Sequence, residues 1–520
     1  MVHPREQHFR PLIFCIIVLA ALLRFVQLGS IPYGINQDEA GRAYEAYSLL
    51  KTGHDQHGVP WPLTLEAFSK AHDNASAISA YAAIPFTALL GPGVYAVRLP
   101  SAIAGVLLVI ATMFLGKRLS GSWWVGLLAG FFLSVSPWHL TLSRTGHEAV
   151  WLPTLFSLGA VAYFSALDKR PWLLPFAALA WGLGFFGYGP GKLFFPLAAL
   201  LTVILTIRRI RWRHPATWVT AAVLGGLLVL LFSLSIGQLG TGRFQEVSIF
   251  QVGITSGIRQ LGINILSYVN PVSWFLGYIS VGPLDWLIFL IGVPFFFLLA
   301  RHNQALPRIR TIMLGWFVAA LLPAILTDAN PHQLRASGLL SFLYIAGVWG
   351  FTLMVRPLVT RLQQLHWKLI GITTTVVLGA VGLALFVSPS YFMRTGYGQP
   401  YAYTPEMPRV VAVLKGLQAP EVRIVDDHLN QPSIFFMLLI PWDPATVQAD
   451  TRVEQRPNGW NRTTRLGRYT FCRLEECATR APGVAFLEIA NETKLGTRLI
   501  ERIPIQGFPK PLNWTISIND

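Results

Sequence analysis

Apolar runs long enough to carry a helix across a lipid bilayer recur along most of this sequence, and they limit what it can fold into. We read them at 11–29, 99–116, 122–138, 149–167, 172–188, 193–207, 216–236, 283–300, 311–327, 336–355 and 367–388. A spanning helix needs about 20 mainly apolar residues. Inside lipid, only helices and closed barrels satisfy their own backbone. Charged residues make up 13% of the 520, against roughly 25% in soluble chains. A large soluble helical protein is the alternative, but buried helices rarely run this far without charge.

A twelfth stretch, SAISAYAAIPFTALLG at 76–91, is short and carries Ser, Thr and Pro. The positive-inside rule decides its place. With 76–91 left out of the count, Arg5, Arg10, Lys117, Arg118, Lys169, Arg170, Arg208, Arg209, Arg211 and Arg213 share one side. Arg301, Arg308, Arg310, Arg356, Arg361 and Lys368 fall on that side too. We therefore expect about eleven spans in a cell (cytoplasmic) membrane, with the N-terminus cytoplasmic. The first run, behind Arg5 and Arg10 and containing Arg24, reads as a retained span rather than a cleaved signal. The net charge of +16 belongs to these short loops, so nucleic acid is not an expected partner and membrane lipids are.

Three segments then lie outside: 30–75, a loop at 237–282 whose part 258–278 looks amphipathic, and a polar tail. The tail contains strand-like VRIVDD (422–427) and VAFLEIA (484–490) and a helix-like run at 406–417. The expected fold class is an all-α polytopic membrane protein over 1–388 with a small extracytoplasmic α/β domain over 389–520. Cys15 sits in the first span and reads as packing. Cys472 and Cys477, outside, could form a disulfide or stay as two thiols.

Candidate chemistry gathers at the outer ends of the spans. Asp38 and Glu39 are adjacent carboxylates beside the membrane, where uncompensated charge is costly. One could act as general base, the pair could ligate a divalent cation, or they could simply cap a helix. Arg42 follows one helical turn after Asp38, on the same face. Arg144, His147 and Glu148 sit between two apolar runs, where Glu148 suits a helix start. Arg98, Lys192 and Arg335 lie at outer helix ends. Each could snorkel; together they suit a phosphate that gains charge as it leaves. His54, Asp55 and His57 hint at a metal, but nothing nearby completes a ligand set.

Five blocks in this order resemble bacterial glycosyltransferase family 39: DEAGRAYEAYSLLKTGHDQHG (38–58), AVRLPSAIAG (96–105), SPWHLTLSRTGHEA (136–149), YGPGKLFFPL (188–197) and ANPHQLRASG (329–338). That family is related to the dolichyl-phosphate-mannose protein mannosyltransferases and to the aminoarabinose transferase that modifies lipid A. The resemblance covers about residues 10–390. It implies a GT-C-type fold and transfer of a sugar from a polyprenyl-phosphate donor to a lipid or protein acceptor. Asp38 would be the catalytic carboxylate, supported by Glu39, which would also help hold any divalent metal ion, and Glu148 would be the second acidic position. Arg98, Lys192 and Arg335 would be donor-phosphate or framework cations, and Arg42 and Arg144 would bind the donor phosphate. Many relatives have Arg where this chain has Lys192, and no inserted β-trefoil domain is visible. A transporter or lipid-linked-sugar flippase would line its path with similar charges, and a membrane scaffold is the third possibility. No internal two-fold repeat supports the transporter.

Overall fold

The structure, a computed structural model, describes residues 9–32, 34–66, 74–235, 247–270, 285, 288–299, 307–328, 332–362, 404–426, 431–455, 461–477, 482–489, 497–505 and 512–519. The expected span at 367–388, and with it the count of eleven, lies outside them.

The first apolar run forms α1 (Arg10–Phe25). After α2 (Gln37–Thr52) and a two-stranded ribbon of β1 (Thr64–Glu66) and β2 (Asn74–Ser76), the chain enters α3 (Ile78–Leu90) and the 27-residue α4 (Val94–Ser120). α5 (Trp123–Val135) and α6 (Pro137–Arg144) form a pair bent by 63°. The apolar segment expected at 122–138 is thus interrupted at Ser136. Pro137 has no N–H to continue α5, and the Ser136 side chain caps α6 instead. α7 (Trp151–Asp168), α8 (Leu174–Gly187), α9 (Gly191–Thr206) and α10 (Pro215–Ser235) follow. Beyond them come α11 (Ile254–Val269), a π-helical turn at Ile288–Gly292, α12 (Val293–Leu299), α13 (Pro307–Ile325) and α14 (Leu340–Leu362). Among the described residues five helical stretches are long and apolar enough to cross a membrane, or six with the bent pair, and four shorter apolar helices accompany them.

The segment at 76–91 does not cross. At its start the Ser76 hydroxyl donates to Phe186 O, at the end of α8, and Ser79 Oγ accepts from Trp151 Nε1, at the start of α7. At its finish, Leu90 is four residues from Val94, where α4 begins on the same side. Both ends of α3 therefore sit at one face of the bundle. The basic loops gather at the other face, where Asp168, closing α7, bridges Arg118 at 2.5 Å and Arg209 at 2.6 Å.

Close backbone contact holds the bundle together. A Cβ on Gly126 would lie 2.2 Å from Met113 O, so α4 and α5 touch through glycine. Rings of Phe156, Trp181, Phe194, Trp316 and Phe342 interlock between α7, α8, α9, α13 and α14. The Trp316 indole donates to Thr202 Oγ1 at 2.8 Å, so its polar edge is satisfied inside the apolar core. Cys15, expected to be packed, is exposed on the outer face of α1.

The tail is an α/β unit. Its seven-stranded sheet has the order β4-β5-β6-β3-β7-β9-β8, numbered along the chain: β3 Val422–Val425, β4 Arg452–Gln455, β5 Asn461–Leu466, β6 Tyr469–Cys472, β7 Ala485–Ile489, β8 Arg498–Ile505 and β9 Leu512–Ile518. β3 pairs parallel with β6 and β7, and the remaining neighbours pair antiparallel. α15 (Met407–Gly416), α16 (Ser433–Leu439) and α17 (Pro444–Asp450) complete it, and Cys472 is disulfide-bonded to Cys477. The tail's core is continuous with α2: Ile35, Ala40, Ala43 and Tyr44 are buried in one cluster with Met407, Ile424 and Phe435.

Candidate active site

α2 begins with a capping box. Asn36 Oδ1 accepts from Glu39 N at 2.7 Å, and Asn36 N donates back to Glu39 Oε2 at 3.4 Å. Glu39, fully buried, also accepts from Gly146 N at 2.8 Å and from Arg98 Nε and Nη2 at 2.8 and 3.0 Å. Its carboxylate is therefore part of the framework, which corrects the expectation of a catalytic or metal-ligating Glu39.

Arg98 joins it in the framework, one of the two roles expected of this residue. The guanidinium has five N–H groups. Two meet Glu39, and the others reach Leu28 O, Pro32 O and Gly34 O at 3.1, 3.0 and 2.7 Å. Nothing remains for a phosphate. Arg144 is likewise spent on backbone: its guanidinium donates to Leu23 O, Val26 O, Gln27 O and Ile31 O at 2.6–3.2 Å. It satisfies the carbonyls at the C-terminal end of α1, which no helical N–H can reach.

The remaining candidates converge. Asp38, half-buried in the first turn of α2, makes no hydrogen bond among the described residues. Arg42, one turn on, is buried and ion-paired with Glu148 Oε2, while its Nε and Nη1 have no partner. Burial pulls the Arg42 pKa down, but Glu148, then Asp38 and Glu39, more than offset that, so the side chain is held firmly protonated. Tyr188, between α8 and α9, stands in the middle. Its phenol is pushed up by burial and then by Glu148, and it feels Arg335, Arg42 and Asp38 as well. Charges from α2, from the turn before α7 and from the segment before α14 thus share one neighbourhood.

His147 packs its ring edge-on against Tyr188, with centroids 5.7 Å apart. Its Nδ1 accepts from Ala149 N at 3.0 Å, so in the neutral ring the proton sits on Nε2. The 3.8 Å approach of that same Nδ1 to Glu148 is then no hydrogen bond. Lys192, in the first turn of α9, is half-buried and has no side-chain partner among the described residues. Arg335 donates Nη1 to Asp328 O at 2.7 Å and Oδ1 at 3.0 Å, a pair whose acid is 61% exposed and weakly held. Tyr268 borders Arg335 and bonds the backbone of His332 in both directions, at 2.9 and 3.3 Å.

Four of the expected residues, Asp38, Arg42, Glu148 and Arg335, thus bear electrostatically on Tyr188, two of them as an ion pair, with Lys192 at the start of the helix that follows it. Tyr188 and Tyr268 were not singled out from sequence. Tyr188 stands inside the block YGPGKLFFPL, but a lone tyrosine beside a glycine turn carries no signal of its own.

A divalent ion at Asp38 and Glu39 does not fit these residues, because Glu39 has no lone pair facing outward. Among the described residues no three His, Cys, Asp or Glu side chains form a ligand group. Asp55, read from sequence with His54 and His57, is buried and accepts from His57 N and Val59 N at 2.9 and 2.8 Å. It shapes the turn after α2.

Residues 76–234 match the family described as dolichyl-phosphate-mannose-protein mannosyltransferase. The fold is similar to that of ArnT from Cupriavidus metallidurans bound to undecaprenyl phosphate, with a TM-score of 0.56 and 13% identity over 96% of this chain and 97% of that one. The same enzyme in the apo state gives 0.55, also at 13% identity, covering 97% of each chain. The archaeal oligosaccharyltransferase AglB from Archaeoglobus fulgidus, in complex with an inhibitory peptide and a dolichol-phosphate, gives 0.50 at 12% identity over 81% of this chain and 62% of that one. No curated protein matches in sequence. The fold is therefore similar to that of these polytopic membrane enzymes, and the family pattern over 76–234 accords with that likeness.

Proposed function

We propose that the protein transfers a sugar from a polyprenyl-phosphate-linked donor to a hydroxyl of a lipid or protein acceptor, at the outer face of a cell membrane. The observation that carries this reading is the half-buried, unbonded Asp38 beside the Arg42–Glu148 pair and Arg335, at the opposite end of the membrane helices from the Arg118–Asp168–Arg209 belt.

Asp38 takes the proton of the acceptor hydroxyl. The oxygen attacks the anomeric carbon, the bond from that carbon to the phosphate oxygen breaks, and the polyprenyl phosphate leaves with the negative charge. Direct displacement inverts the anomeric centre. Arg42 presents two unpartnered nitrogens, Nε and Nη1, and Lys192 and Arg335 add positive charge where the leaving phosphate gains its negative charge. Glu148 holds Arg42 in place, so its role is to position rather than to react. No step is routed through a metal, because the residues at Asp38 do not form a ligand set. The basic loops at the other end support an outer placement by the positive-inside rule. ArnT with undecaprenyl phosphate and AglB with dolichol-phosphate support the class of donor.

The test is turnover of radiolabelled polyprenyl-phosphate sugars by purified protein in lipid nanodiscs. Asp38→Asn should lower transfer at least about a hundredfold while donor binding persists. Normal transfer by that variant removes Asp38 from the mechanism. Movement of the lipid-linked sugar across the bilayer without bond cleavage would favour the flippase instead.

A further inference from the structure

A crevice of about 440 Å³ lies between α8, α9 and α10 and takes no part in the proposed reaction. Trp181, Ala199, Val203 and Leu224 line it, with Ile210 and Trp212 at its mouth on the basic end of the bundle. Its lining hydroxyls are already bonded inside the protein: Tyr163 to Thr206 Oγ1 at 2.7 Å, Thr217 to Arg211 O at 2.9 Å and Thr220 to Ala216 O at 2.7 Å. A polar ligand would lose its hydration there without compensation. α10 stands at the edge of the bundle, with Leu224 and Leu228 47% and 64% exposed, so the crevice opens to the surrounding lipid. From Thr217 to Leu228 the α10 lining runs about 17 Å. That is a little over half of the roughly 30 Å hydrocarbon core, the depth of one leaflet.

The mouth is cationic. Trp172 and Trp212, each 55% exposed, mark the headgroup level. Trp172 packs edge-on against His214, with centroids 5.6 Å apart. Around them stand Lys169, Arg170, Arg208, Arg209, Arg211 and Arg213, beside the acid Asp168. Arg209 and Arg211 are engaged with that aspartate at 2.6 and 2.9 Å. Arg208 and Arg213, two residues before Ile210 and one after Trp212, are exposed and make no hydrogen bond or ion pair among the described residues. Uncompensated cations above an apolar crevice one leaflet deep match a lipid with acyl chains and an anionic phosphate. The donor's phosphate belongs at the other end of the helices, beside Asp38, so these arginines are not its partners.

We infer that this crevice is a binding site for an anionic phospholipid of the leaflet at the basic end, its acyl chains between α9 and α10 and its phosphate on Arg208 and Arg213. The inference holds whether or not the proposed transfer reaction is correct.

Native mass spectrometry of the full chain in detergent tests it, with phosphatidylglycerol or phosphatidylcholine of the same acyl chains added at equal concentration. Phosphatidylglycerol should be retained at least about fivefold more than phosphatidylcholine. Arg208→Gln combined with Arg213→Gln should bring the two lipids level. Ala221→Phe, which puts a ring into the crevice, should lower the retention of both. All three positions are exposed, so the fold is preserved. Equal retention of the two lipids by the unaltered protein would overturn the inference. So would a preference that survives the double variant, or retention that survives Ala221→Phe. Polyprenyl phosphate displacing phosphatidylglycerol one for one would also overturn it and give the crevice to the donor's chain.

Discussion

Asp38 and Glu39 are neighbours in sequence with opposite fates, and the cause is one methylene group and one position along the helix. At the third helical position, Glu39 reaches back to the N-cap and down to Arg98. Asp38, shorter and one position earlier, is left facing the site. Removing one partner of a buried ion pair costs about 3–5 kcal/mol. Arg98→Ala should therefore lower the midpoint of thermal unfolding sharply, measured in detergent, and Glu39→Ala should match it. Asp38→Asn should leave that midpoint nearly unchanged. Glu45 offers a pH signature. Burial, and then Asp55, hold its carboxyl well above the ordinary range, and the N–H of Gln56 offsets this only in part. The folded state thus keeps the proton more tightly than the unfolded chain does. Glu45 contributes stability that is fully present below the unfolded value of about 4.3 and is lost as the pH rises through the raised folded one. Glu45→Gln should flatten that alkaline-side loss in a series of unfolding midpoints against pH.

Among the elements, α3 and the α4–α5 contact show how little length and hydropathy say alone. α3 is apolar throughout, yet it runs along one face because Ser76 and Ser79 tie its start to the same ends of α7 and α8 that face the site. Cysteines placed at Ser76 and at Leu90 should both react with a membrane-impermeant thiol reagent from one side, and a cysteine at Lys117 only from the other. Labelling of 76 and 90 from opposite sides would make α3 a span and invert every later loop. Gly126 works differently. Its missing side chain lets α5 approach Met113 and Lys117 of α4. Gly126→Val should cost about 1–3 kcal/mol by overpacking, read as a lower unfolding midpoint with the far-ultraviolet spectrum unchanged.

At the scale of the whole molecule, the tail is built onto α2 rather than merely attached beyond the membrane helices. The Tyr44 hydroxyl donates to Trp442 O at 3.1 Å, and the Gln448 amide donates to Ser48, Thr52 and Asp55 at 2.8–3.1 Å. Gly34, whose φ of 75° suits glycine, lies so close to Pro405 that a Cβ would come within 2.6 Å of its nitrogen. Deleting residues from 404 onward would expose Ile35, Ala40 and Tyr44 and release the segment that leads into Asp38. The truncated chain should aggregate on size-exclusion chromatography and show no transfer. A monodisperse, active truncation would show that α2 holds its place without the tail.

The sequence by itself determined that this is a helical membrane protein, which end of the bundle is basic, and that the polar tail is of α/β type. Those are matters of composition and period along a single strand of residues, and lipid enforces them strongly. It also brought Asp38, Arg42, Glu148 and Arg335 forward as candidates. Tertiary structure alone decided that Glu39, Arg98 and Arg144 are framework, that Tyr188 stands at the centre, and that α2 shares its core with residues nearly 400 positions away. The reason is physical. A charged side chain beside a membrane must be paired, and whether its partner is a protein group or a substrate depends on which N–H and C=O groups the fold leaves unsatisfied around it.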